Sequence, residues 1–154
     1  MNQEMTRQKR IIGDILRVEL GDGSHTYARV LGEASYAFYD ARTRSEIETS
    51  EIVKQPILFI VAVMRYAVTK GHWKRVGNVP LEPALLTLPL KFIQDALDPT
   101  QFRIYDNGHI RPATRKECEG LEREAAWDPE HVEERLRDHF AGRPNRLVES
   151  MKIR

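Results

Sequence analysis

The sequence predicts an α+β fold: a curved antiparallel sheet early in the chain, with helices at its C-terminal end. Three observations carry that expectation. β-Favouring runs alternate with glycine-rich turns up to Asp40, a second β unit is marked by Asp106-Asn107-Gly108, and helix-start chemistry gathers from Thr114 onward.

After a charged lead, Ile11 to Leu20 reads as the first strand. Gly21-Asp22-Gly23-Ser24 supplies the turn, because glycine reaches positive φ without a Cβ clash. His25 to Leu31 is the return strand. Beyond the break at Gly32-Glu33, the aromatic run from Ser35 to Asp40 is a third. A meander of this kind curls into a partial barrel that protects its own edges.

Ser45 to Gln55 is polar and reads as a loop followed by one helical turn. Ile57 to Met64 is uniformly apolar, and its β-branched content between Pro56 and Gly71 favours a central strand. Trp73 to Val76 is expected to pair with it across a Lys70-Gly71 turn. Gly77 to Pro89 holds Pro80, Pro83 and Pro89 and reads as an extended crossing, covering the core through Leu81, Leu85, Leu86 and Leu88.

In the second β unit, Lys91 to Gln94 and Phe102 to Tyr105 precede the Asn107-Gly108 turn, a strong hairpin signal, and His109 to Arg111 return. Thr114 and Glu117 have capping-box spacing. Asp128 and Pro129 suit the N-cap and first position of a last helix, with Trp127 stapled onto Val132. Val132, Leu136 and Phe140 form its buried stripe, Glu133 and Arg137 pair on the exposed side, and Gly142 with Pro144 ends it.

A length of 154 residues suits one domain, 1–154, around one core. The 24 basic and 23 acidic residues leave a formal net charge of +1, so composition offers no general case for a nucleic-acid partner. Arg7, Lys9, Arg10 and Arg17 are the one local basic group that favours such a reading. Cys118 is the single cysteine, Met1 to Arg10 lacks an apolar signal stretch, and the longest apolar run, Ile57 to Val63, is too short for a membrane helix. A cytoplasmic location and no membrane partner are expected.

The search for chemistry yields no catalytic residue, metal site or cofactor. His25, His72, His109, His131 and His139 have no zinc-ligand spacing, and Arg135 lies between the two on the last helix. Ser35 and Ser50 occupy no nucleophile elbow, and Cys118 reads as a small buried hydrophobe. Tyr27, Tyr36, Phe38 and Tyr39 suit cross-strand packing better than base stacking. A scattered enzyme site at Asp40, Tyr105 and His109 is a third reading that no motif recommends. Glu46, Glu48 and Glu51 form the densest acidic group and are the candidate partner-binding residues, since a positive partner finds its best local complement there.

Five stretches, in order, carry a resemblance: GDILRVELGDGSHTYARVLG (Gly13 to Gly32), AFYDAR (Ala37 to Arg42), PILFIVAVMRYAV (Pro56 to Val68), DPTQFRIYDNG (Asp98 to Gly108) and WDPEHVEERLRDHFAGRPN (Trp127 to Asn145). The set resembles the immunity protein 26 family of bacterial polymorphic-toxin systems. The resemblance implies a protein made beside a toxin gene, whose partner is the cognate toxin domain and whose action is occlusion by tight association rather than catalysis. It brings no residue-level site. The N-terminal strand pair is also similar to small SH3-like barrels, which makes an SH3-like nucleic-acid-binding module the alternative.

Overall fold

The computed structural model describes residues 6–154; the opening of the charged lead, 1–5, lies outside them. Strands β1 (Asp14–Glu19), β2 (His25–Val30) and β3 (Ser35–Tyr39) form the expected meander. The β1–β2 register pairs Ile15 with Arg29 and Glu19 with His25, and β2–β3 pairs Ala28 with Phe38. Gly13 opens this unit at φ +92°. A Cβ there would stand 2.7 Å from the Val79 carbonyl oxygen, so only glycine fits. β2 and β3 are buried on both faces, which is why they lack alternation.

Strand β4 (Ile57–Val63) joins β3 antiparallel, with Tyr36 opposite Val61, after the single helical turn α1 (Thr49–Ile52). The next segment corrects an expectation. Lys74–Asn78 forms β5, and its partner is β1, not β4. Tyr66–Thr69 coils into a turn of helix, α2, with the Lys70 and Gly71 amides bonded back to Tyr66 and Val68, so Lys70-Gly71 ends a helix rather than a hairpin. Where β4 ends, both its sides are already taken: Val63 N–H donates to Ala34 and Met64 N–H to Trp127. The chain therefore carries fully buried Trp73 beneath the sheet and reaches the far edge.

Beyond β5 the proline-rich crossing holds one 3₁₀ turn, Pro83–Leu85. Leu81, Leu85 and Leu88 pack on Leu31 and Ala37 as expected, whereas Leu86 points outward, 69 % exposed. Arg29, wholly buried in β2, holds this crossing down. Its Nε donates to the Gly13 carbonyl at 3.0 Å, and its terminal nitrogens donate to the Val79 and Pro80 carbonyls, the Tyr39 hydroxyl and the Glu82 carboxylate.

The second β unit is a separate sheet. β6 (Lys91–Gln94), β7 (Phe102–Asp106) and β8 (His109–Ala113) are antiparallel, with Asn107 and Gly108 at φ +48° and +92° in the turn. After α3 (Arg115–Cys118), capped by the Thr114–Glu117 box, come two very short strands, β9 (Glu122–Arg123) and β10 (Ala126–Trp127). β9 runs parallel to β6 and β10 parallel to β4, so one stretch of chain splices the two sheets together. The larger sheet has the order β10-β4-β3-β2-β1-β5 and stays open rather than closing into a barrel; the smaller is β8-β7-β6-β9. Beside the splice the buried Lys91 ammonium donates to the Ile60 carbonyl of β4, capping an edge that β10 is too short to cover.

Helix α4 (Pro129–Phe140) packs Val132 and Leu136 with Trp127, Trp73 and the inner faces of β1–β4, and a short α5 (Arg146–Ser150) follows, capped by Asn145. Phe140, expected at the end of the buried stripe, is only half-buried. Asp128 occupies the N-cap position without a side-chain cap bond. Glu133 does not pair with Arg137. It is turned inward, accepting from Trp73 Nε1 and lying against His72 Nε2, both at 2.9 Å, while Arg137 donates to the Leu20 carbonyl. A buried indole N–H outcompetes an exposed helix-surface pair for a carboxylate. No helix among the described residues is long and apolar enough to cross a membrane.

Candidate functional site

The three glutamates singled out from the sequence stand on the segment between β3 and β4. Its start is tied to β2 by a two-way bridge, in which the His25 and Thr43 amides each donate to the other's carbonyl at 2.9 Å. The Ile47 amide then meets the Tyr27 hydroxyl at 3.4 Å, and that hydroxyl is 2.9 Å from His25 Nε2. Ile52 is fully buried beside Ile15, Tyr27 and Tyr39, with Ile47 packed against the same group. Two isoleucines turned inward thus leave Glu46, Glu48 and Glu51 exposed between and beside them.

Glu46 and Glu48 line a hollow of about 440 Å³ together with Ile47, Tyr27, Arg17 and Lys74. Among the described residues neither glutamate has an ion-pair partner, whereas Arg17 is held by Glu19 at 2.6 Å. Glu51 does not line this hollow; its carboxylate meets Lys54 at 3.3 Å. The acidic group therefore divides into a pair facing the hollow and a third member beside it. Arg17 and Lys74 come from distant strands, so no local pattern in the sequence announces that cations share the hollow. Beneath the loop, burial holds the His25 imidazole below its ordinary 6.5, with Arg17 acting the same way; Glu19, the Ser45 backbone and Glu46 oppose them. His25 is neutral at neutral pH and acts as a hydrogen-bonding prop for Tyr27.

A model of the immunity protein 26 family matches residues 11–103, more than half of the chain. The chain belongs to the immunity protein 26 family. Membership gives it an immunity function, with a toxin as partner in general terms, and points to a non-enzymatic role. Neither the curated proteins nor the solved structures compared with the chain match it. The family match takes in β1 to β6 and the start of β7, and so includes the whole acidic segment. The Trp127 to Asn145 stretch that contributes to the resemblance lies outside it.

The remaining candidate groups in this family member have structural tasks. Tyr27, Tyr36, Phe38 and Tyr39 are buried and present no stacking platform. In the basic group, Arg10 donates to the Leu31 and Ser35 carbonyls and the Tyr36 hydroxyl and stacks 4.9 Å over the Tyr36 ring, which leaves Arg7 and Lys9 as its outward members. Among the described residues no three potential ligands gather for a metal ion. His131 lies 3.6 Å from Asp128, and His139 stacks edge-on to Phe140. Cys118 packs with Phe92, Phe102 and Ile104, and burial pushes its thiol up. Asp40 sits at the end of β3, while Tyr105 and His109 belong to the other sheet, where the Tyr105 hydroxyl meets Glu33.

Proposed function

We propose that this chain neutralises its cognate toxin by occlusion, in the cytoplasm, acting as one immunity-protein domain over 1–154 and seating the toxin on the face that carries Glu46, Glu48 and Glu51. One observation supports the choice of face above the others. The Glu46 and Glu48 carboxylates are exposed and unpaired among the described residues, on a loop held from below by Ile47, Ile52 and the His25–Tyr27 pair. A loop fixed in this way loses little conformational freedom on binding, and its charges stay aimed at the partner. A basic toxin surface, such as that of a nucleic-acid-degrading domain, is its electrostatic complement.

The test is titration of the chain against an inactivated form of the toxin domain encoded by the neighbouring gene. Reversing the three charges together (E46K, E48K and E51K) is expected to weaken binding by at least about tenfold, the equivalent of about 1.4 kcal/mol. Unchanged affinity would remove this face from the proposal. Failure of the native chain to bind the toxin or to rescue growth when coexpressed with it would remove occlusion itself.

A further inference from the structure

The acidic hollow is not isolated. Its residue Ile47 also lines a neighbouring hollow of about 460 Å³ with Asp40, Arg42, Gln55 and Phe140. Arg42 and Phe140 in turn line a third, of about 330 Å³, with Arg137 and Arg143. Through these shared walls the three hollows form one surface track, with half-buried Ile47 and Phe140 along its floor.

The far end of this track is built from arginines around the β1–β2 turn. Arg42 meets the Asp22 carboxylate at 3.0 Å, Arg44 donates to the Asp22 carbonyl at 2.8 Å, and Arg137 donates to the Leu20 carbonyl at 3.3 Å. Arg143 pairs with Asp138 at 3.2 Å. Two of these guanidiniums pair with carboxylates, Arg42 with Asp22 and Arg143 with Asp138, while Arg44 and Arg137 are held by backbone carbonyls. Both carboxylates also have other donors, Asp22 the Ser24 amide and hydroxyl and Asp138 the Asn145 side-chain amide. Each guanidinium carries five N–H groups, so these contacts fix its position and leave donors pointing outward.

The geometry points to a bipolar docking groove that seats a toxin segment with basic side chains at one end, over Glu46 and Glu48, and carboxylates at the other, over Arg42, Arg137 and Arg143. This rests on the occlusion reading and names the chemistry of its partner. A nucleic acid fits the groove badly. Its phosphates are negative along the whole length and would lie against Asp40, Glu46 and Glu48 as well as against the arginines. Of the two cations beside the glutamates, Arg17 is already held by Glu19, which leaves Lys74 alone without an ion-pair partner among the described residues. Arginine matches a carboxylate in planar, two-point fashion, which makes the basic end a source of specificity as well as attraction.

The experiment uses the full chain and the inactivated toxin domain of the neighbouring gene. Arg42→Gln and Arg143→Gln remove charge at side chains that are 41 % and 62 % exposed, so the fold is expected to persist, and circular dichroism checks this. Each is expected to lower affinity about tenfold or more, the equivalent of one hydrogen bond to a charged group. Arg111→Gln, on the other sheet and paired with Glu117, is expected to leave affinity unchanged. If both groove variants bind like the native chain, the groove is overturned while occlusion through another face stands. If the native chain does not bind the toxin, both fall. If the native chain instead binds a short single-stranded RNA and the arginine variants lose it, the basic end is a nucleic-acid contact and the groove is overturned.

Discussion

Replacing Arg29 with methionine tests the account of the fold most directly. The guanidinium is wholly buried and donates to three backbone carbonyls, a phenol and a carboxylate. Methionine fills a similar volume but takes that donor from the Gly13, Val79 and Pro80 carbonyls, of which only Gly13 keeps another, the Val79 amide at 3.1 Å. At roughly 1 kcal/mol or more for each acceptor left unsatisfied, the expected loss is about 2–3 kcal/mol. That is a large share of the ~5–15 kcal/mol that holds a domain together. Glu82 is 42 % exposed, so Glu82→Ala removes only a solvent-screened ion pair and is expected to cost at most about 1 kcal/mol. Arg29→Lys is expected to resemble the methionine variant, because one ammonium cannot span partners placed around a planar fork. Urea unfolding followed by circular dichroism measures all three. A loss below about 1 kcal/mol for Arg29→Met, or a Glu82→Ala loss equal to it, would refute the idea that the carbonyl contacts are what pin the crossing segment.

Three further outcomes are expected. Gly13→Ala places a Cβ 2.7 Å from the Val79 oxygen at φ +92°, and should destabilise by about 2–3 kcal/mol in the same urea assay; a neutral result would contradict the tight approach of β1 to Val79. Glu133→Ala leaves the buried Trp73 indole N–H without its acceptor, and is expected to cost about 1–3 kcal/mol and to change tryptophan emission, whereas Glu134→Ala on the same helix should alter emission much less. His25 contributes a pH dependence whose sign follows from burial. Its folded value lies below 6.5, so as pH falls through 6.5 the unfolded chain takes up a proton that the folded chain resists. Stability from this source is full above 6.5 and declines below it; the urea midpoint of His25→Gln should fall less than that of the native chain between neutral and mildly acid pH.

The parts of the fold legible in the sequence are those with local causes. Glycine at Gly21 and Gly23, the Asn107-Gly108 pair and the Thr114–Glu117 box each set the backbone within a few residues, and the meander, the second hairpin and the capped α3 follow from them. What was not legible depends on contacts between distant segments. The partner of β5 was decided by which edge of the sheet remained open, and the inward turn of Glu133 by where Trp73 came to rest. Arg29 looks like any strand arginine until the crossing segment is laid over it. The site behaves in the same way. Glu46, Glu48 and Glu51 are neighbours in sequence and stand out by count, while Arg17, Lys74, Arg137 and Arg143 join their surroundings only through the fold.

The splice from β9 to β10 has a consequence for the order in which the molecule assembles. β1 to β3 form from neighbouring segments, as do β6 to β8, so each sheet can begin from short-range contacts. Pairing Ala126 with Ala62 and Glu122 with Lys91 needs residues far apart in the chain, and it needs both sheets to be present first. The splice is therefore expected to close last on folding. Substitutions along it are expected to act mainly on how fast the native state opens and barely on how fast it forms, which the two arms of a urea chevron would measure. Kinetic lifetime is then expected to depend on the stretch from Glu122 to Trp127, which holds the two smallest strands of the protein, each of 2 residues.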